Sequence, residues 1–84
     1  MTNAEFVEKA KTLVRDYTNE NLDETNVMIV TEDVFVVWDC YILGNIKALF
    51  ATSLRDGMCY EVTYNKQKDE IYLDAYRKTE NRKY

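Results

Sequence analysis

Cys40, Cys59, Glu61 and Asp74 are the side chains of this 84-residue chain whose types and spacing could do chemistry. A cysteine nucleophile needs a base or a positive neighbour to hold it as thiolate. The chain has no histidine, which removes both the commonest general base and the commonest metal ligand. Glu61 and Asp74, expected on strands beside Cys59, would raise its pKa and leave it a protonated thiol. The same two acids could in principle share proton chemistry. Exposed carboxylates on a sheet are far more often solvated than catalytic, and no pocket is implied around them. Two cysteines are too few for a structural zinc site or a disulfide framework. Gly44 and Gly57 are the only glycines, so a glycine-rich phosphate loop is excluded. No catalytic residue, cofactor or metal is assigned, and the expectation is a protein that is not an enzyme.

Charge narrows the partners. Fifteen acids face eleven bases, for a net charge of -4. Arg77, Lys78, Arg82 and Lys83 crowd the last eight residues, opposed only by Glu80, so residues 1–76 carry a net -7. An acidic body repels nucleic-acid phosphates and suits a basic protein surface, although solubility alone also accounts for it. A stacking platform for bases would need positive charge around its aromatics, so nucleic acid is not the expected partner. The longest uncharged run of the apolar core stretch, Val34 to Trp38, is far too short to cross a bilayer. No basic-then-apolar leader opens the chain. The expectation is a cytoplasmic protein, with no membrane role.

The elements that must position these residues follow from periodicity. Thr2 and Glu5 fit a capping box. Phe6, Ala10, Leu13, Val14 and Tyr17 recur at helical spacing, which predicts an amphipathic helix over Asn3–Thr18. "NENLDETN", 19–26, reads as a loop, and "VMIV", 27–30, as an edge strand or an extended segment over the core rim. From Asp33 onward the pattern is β: strands over about 33–42, 46–54, 58–64 and 70–76, joined by turns at "LGN", "RDG" and "NKQK". Connections this short force an antiparallel meander. The fold class is α+β: one domain over 1–84, an N-terminal helix on a four-stranded antiparallel sheet, with 77–84 a basic tail expected to be mobile.

Register decides what faces inward. Three-residue loops at the first two hairpins put Val34, Val36, Trp38, Cys40 and Ile42 on the helix-covered face. Ile46, Ala48, Phe50, Thr52, Leu54, Met58, Tyr60, Val62, Ile71, Leu73 and Ala75 join them. A two-residue first loop would set Lys47 beside Trp38 and Cys40 in the core, an unpaired buried charge, and is rejected on that ground. Cys40 then points inward and Cys59 outward, and both are free thiols.

"DVFVVWDCYIL", 33–43, is apolar on both faces of one strand, and the core of a two-layer domain needs only one of them. The other face collects Phe35, Val37, Asp39, Tyr41, Leu49, Glu61, Tyr72, Asp74 and Tyr76, with Lys47, Ala51, Ser53 and Thr63 among them. It reads as a partner-binding surface: an apolar patch with an acidic rim. A second copy of the chain, as a homodimer, is the simplest occupant. A foreign protein is the other, and Asp39→Lys or Tyr41→Glu should then abolish binding while keeping the fold.

The run "VVWDC…NIKAL", then "DGMCYEVTYN" and "EIYLDAYRKTEN", with "EFVEKAKTLVRDYTNENLD" before them, resembles a family of small uncharacterised proteins of bacteriophages and prophages of Gram-positive bacteria. The resemblance covers nearly the whole chain. It implies a phage origin, a role in the host cytoplasm during infection, and no known active site. Lys66 stands where that family usually has glycine. At the level of fold alone, one helix followed by a meander is similar to cystatin-like and peptidase-propeptide-like inhibitory modules. The expected function is a stoichiometric binder of a host protein, plausibly an anti-defence inhibitor. The alternatives are a small-molecule or nucleotide-sequestering protein, and a structural homodimer in phage assembly or DNA packaging.

Overall fold

The computed structural model describes residues 1–22, 27–80 and 82–84. The architecture is α+β. Helix α1, Asn3–Glu20, precedes a 3-10 turn, Thr31–Asp33, and then β1 Val34–Ile42, β2 Asn45–Thr52, β3 Met58–Asn65 and β4 Glu70–Arg77. The strands form one antiparallel sheet in the order β1-β2-β3-β4. β1 and β4 are therefore its edges.

The capping box is present. The Glu5 amide donates to Thr2 Oγ1 at 3.1 Å, and the Thr2 amide donates to Glu5 Oε1 at 3.4 Å. α1 runs two residues past the expected end, because Asn21 closes it. The Asn21 amide donates to the Thr18 carbonyl at 3.1 Å, and its side-chain Nδ2 to the Tyr17 carbonyl at 2.8 Å. The remainder of the expected 19–26 loop is described only to Leu22; positions 23–26 lie outside the described residues. Residues 27–30 form no strand. They are the extended cover over the core rim. Asn19 pins them by accepting from the Ile29 amide at 2.9 Å and donating to its carbonyl at 3.0 Å, which holds Ile29 in the core.

The core lies between α1 and one face of the sheet. Phe6, Ala10 and Val14 meet Ile46, Ala48, Phe50, Tyr60 and Val62, all fully or nearly fully buried. Tyr17 packs edge-on against Tyr60, with ring centroids 5.8 Å apart. This matches the helix stripe and the β2 and β3 faces expected from alternation. The second hairpin loop is five residues, Ser53–Gly57, and the third is four, Lys66–Asp69. Both keep the expected parity, so no side chain of β3 or β4 changes face.

The first hairpin does not follow expectation. Its loop is two residues, Leu43 and Gly44, with φ of 53° and 84°. Two positive φ values in a two-residue loop are the backbone of a type I′ turn, whose twist matches that of the strands it joins. The shorter loop shifts the register by one: Ile42 pairs with Asn45, Cys40 with Lys47, Asp39 with Ala48 and Trp38 with Leu49. A bulge at Val37 shifts it back, and Val36 pairs with Phe50, Phe35 with Ala51 and Val34 with Thr52. The bulge lets β1 satisfy two constraints at once. The turn needs two residues, and the core takes Val34, which is 1% exposed. An extra residue changes parity between those ends. Because β1 is apolar on both faces, the switch buries no charge. Lys47 does sit beside Trp38 and Cys40, as the rejected two-residue loop required, but on the outer face.

Leucine is a poor residue for the first position of this turn, since its Cβ crowds the backbone at positive φ. Asparagine is preferred there. Leu43→Asn is expected to raise stability by about 0.5–1 kcal/mol, read as a higher urea midpoint at unchanged m-value. An unchanged or lower midpoint would show that Leu43 contributes a contact worth more than its strain.

Candidate functional site

The face of the sheet turned away from α1 can be read row by row from the pairing. At one end Phe35 pairs with Ala51 and, across the sheet, Cys59 with Tyr76. The next row runs Trp38, Leu49, Glu61, Asp74, and the third Cys40, Lys47, Thr63, Tyr72. Aromatic rings thus flank both sides, Phe35 and Trp38 on β1 and Tyr72 and Tyr76 on β4. The polar groups occupy the middle. Lys47 Nζ lies 3.3 Å from Glu61 Oε1, a half-exposed ion pair that neutralises the one lysine of the face. The Tyr72 hydroxyl donates to Glu70 at the start of β4.

Six of the nine residues assigned to the partner surface lie on the outer face as expected. Phe35, Leu49, Glu61, Tyr72, Asp74 and Tyr76 share the outer face, and Val37 occupies the bulge on the open edge. Asp39 and Tyr41 do not belong to it. Beyond the bulge they fall on the helix side, opposite Ala48 and Ile46. Asp39 Oδ2 accepts from Asn3 Nδ2 at 3.3 Å. This places a carboxylate at the first turn of α1, where the helix dipole favours negative charge. Asp39 therefore serves the helix start and not the rim of a patch. Tyr41 overhangs the edge of the sheet and stays exposed.

In their place Trp38, Cys40 and Ile42 come to the outer face; all three had been expected in the core. Trp38 is 43% exposed and Ile42 61%. With Lys47 and Thr63 they line a shallow hollow of about 400 Å³. One signal could have found them: a leucine–glycine pair between two strands is compatible with a two-residue turn, and a strand apolar on both faces tolerates either parity.

Cys40 and Cys59 are free thiols on the same face, on β1 and β3, with β2 between them. Among the described residues, no three metal-ligating side chains cluster. The perturbed groups are structural. Burial raises the Tyr60 phenol above its ordinary value. The hydrogen bond that Tyr64 donates to Asp69 Oδ1 at 2.9 Å raises the Tyr64 phenol. Neither group faces the outer hollow.

The open edge of β1 is the other half of the site. Eight of the nine β1 residues are exposed, and only Val34 is buried. Asp39 is the single charge in the strand. The opposite edge, β4, carries Glu70, Asp74 and Arg77 in eight residues, which is how natural sheets discourage pairing. β1 has no such guard apart from its bulge. No helix among the described residues is long and apolar enough to cross a membrane.

No curated protein and no solved structure matches the chain. Residues 7–84 match the model of a family of unknown function, DUF6275, and the chain belongs to that family.

Proposed function

We propose that this protein is a stoichiometric protein-binding module whose partner adds a strand to β1 and rests side chains on the neighbouring outer face. The carrying observation is the asymmetry of the two edges: β1 is long, apolar and exposed, while β4 is guarded by charge. Strand addition draws affinity from backbone hydrogen bonds and specificity from the side chains alternating beside them. Half-exposed Phe35, Trp38, Val37 and Ile42 supply the apolar contact. Rings and branched side chains of this size, about half free, offer on the order of 500 Å² per side, near the threshold of a specific interface.

A foreign strand fits this edge better than a second copy. The middle of β1 is Trp38, so a twofold pairing of two β1 strands would make the two Asp39 carboxylates diagonal neighbours. Like charges across a strand seam oppose pairing. A partner with a basic residue opposite Asp39 turns the same group into an attraction. The resemblance of the chain's segments to phage proteins makes a protein of the bacterial host, including a component of its defences, the partner class to test first.

The test pairs wild type with Val37→Lys, which places a charge on the open edge at a residue 56% exposed, and with Tyr72→Lys at the far side of the outer face. Folded wild-type protein is expected to retain a partner from host extract and to gain amide-exchange protection along β1 in its presence. Val37→Lys should lose at least about tenfold in affinity, since a lysine on an edge strand blocks pairing, and Tyr72→Lys should lose much less. A folded wild type that retains nothing, or equal losses in both variants, overturns the proposal. Light scattering on the protein alone tests the homodimer reading, which requires a dimer without any partner.

The hollow beside Trp38 favours a second reading, a small apolar ligand. Its only cation, Lys47, is already paired with Glu61, so phosphate-bearing ligands fit it poorly. Trp38 is the single tryptophan, and its emission would report such a ligand directly.

A further inference from the structure

The geometry points to a second docking site, the groove between α1 and β4, which takes a basic amphipathic helix from a protein partner. This site lies on the opposite face of the sheet from the outer hollow and at the opposite edge from β1, so it does not depend on strand addition there.

The vacancy is a matter of width. Four strands spaced about 4.8 Å apart present a surface wider than one helix of about 10 Å diameter can cover. α1 spends its cover on β1, β2 and β3, and its contacts fade before β4. The apolar residues that β4 turns toward the helix side, Ile71, Leu73 and Ala75, pack against the core from its margin and stay only half buried. Leu13 and Tyr17 on α1 form the facing wall. Together these leave a groove of about 430 Å³, with Asp16 and Glu20 on its rim.

The rim charge identifies the occupant. Asp16 and Glu20 lie in the last two turns of α1, and the last turn has no base. Negative charge at a helix C-terminus is unfavourable, since the helix dipole already points its negative end there. Arg15 offsets Asp16 through a 2.9 Å ion pair. Among the described residues Glu20 makes no ion pair. A helix laid into the groove with an apolar stripe on Leu13, Tyr17, Ile71 and Leu73, and lysine or arginine beside it, would bury the first group and neutralise the second.

Two nearer candidates fit less well. A second copy's α1 has already spent its apolar stripe on its own sheet, and its outer face mixes Lys9, Lys11 and Arg15 with four acids. The chain's own tail beyond β4, "KTENRKY", has the right charge but Tyr84 as its only large apolar residue.

The probe is a fluorescein-labelled synthetic helix of leucine and lysine, with leucine at helical spacing along one face, and a twin carrying glutamate in place of lysine. The lysine peptide is expected to bind with a Kd in the micromolar range, weakening with salt, and the glutamate twin to bind at least tenfold more weakly. Glu20→Lys should weaken the lysine peptide about tenfold. Glu8→Lys changes the net charge equally on an exposed part of α1 outside the groove, and should leave binding within twofold. Amide shifts should cluster at Leu13, Tyr17, Ile71 and Leu73. Equal losses for Glu8→Lys and Glu20→Lys would reduce the effect to general charge attraction and overturn the site. Shifts confined to β1, shifts at the groove caused by self-association, or no binding to protein shown to be folded would overturn it too.

Discussion

Phe50→Ala is expected to leave the domain barely folded or unfolded at room temperature. Phe50 sits on β2, an interior strand, is fully buried, and pairs with Val36 on one side and Tyr60 on the other. Removing a buried phenyl ring costs about 3–5 kcal/mol, because the lost burial is compounded by a cavity that neighbours fill only partly. A domain of this length has about 4–13 kcal/mol in total at the usual stability per residue, and one helix on four strands leaves its core thin. The neighbours cannot close the gap easily. Ala48 and Val62 are already fully buried, and the Tyr60 ring is engaged in an edge contact with Tyr17. A urea titration followed by far-ultraviolet circular dichroism should show the midpoint falling by about 2 M or more, or no cooperative transition at all. Phe50→Leu, which keeps most of the volume, should cost under about 1.5 kcal/mol. A loss below that for the alanine variant would place the centre of the core elsewhere.

Deleting Val37 should convert a guarded edge into a self-associating one. The pairs on both sides of the bulge, Val36 with Phe50 and Trp38 with Leu49, are compatible with a regular ladder once the extra residue is gone. Every side chain therefore keeps its face, and the two-residue turn is undisturbed. What changes is the edge. A bulge locally disrupts the ladder and twists the strand, and this is one of the few devices that keep open edges from pairing with each other. Without it β1 is a flat, eight-residue apolar edge with a single charge. The deletion variant is expected to keep its circular dichroism spectrum and to self-associate at least about tenfold more strongly than wild type, a difference of about 1.4 kcal/mol. Light scattering over a concentration series measures it. A folded deletion variant no more associated than wild type would show that Asp39 alone guards the edge.

Much of the architecture is legible in the residues alone. The capping box at Thr2 and Glu5 marks the helix start, and the stripe Phe6–Ala10–Val14 and the alternation Ile46, Ala48, Phe50 and Tyr60, Val62 each bury one set of side chains and solvate the other. Only one helix phase and one strand parity satisfy such a pattern. The outer face was legible in its central and far strands for the same reason: Leu49, Glu61, Tyr72, Asp74 and Tyr76 lie on strands whose other face is committed to the core.

β1 was different. "VFVVWDCYI" can turn either face inward at nearly equal cost, so alternation carries no information there. The cost of burying Lys47 selects a three-residue loop only for a strand without a bulge. Two distant demands decided the matter: the turn at Leu43 and Gly44 set the parity at one end, and the burial of Val34 against the helix layer set it at the other. The local pattern of this chain therefore determined the fold class, the helix phase and three of the four strand faces, because each rests on a contrast between apolar and polar neighbours. Only the packed molecule decided that Trp38 looks out and Asp39 meets Asn3, and that one helix leaves β4 half covered, because those outcomes depend on how separate elements share one sheet.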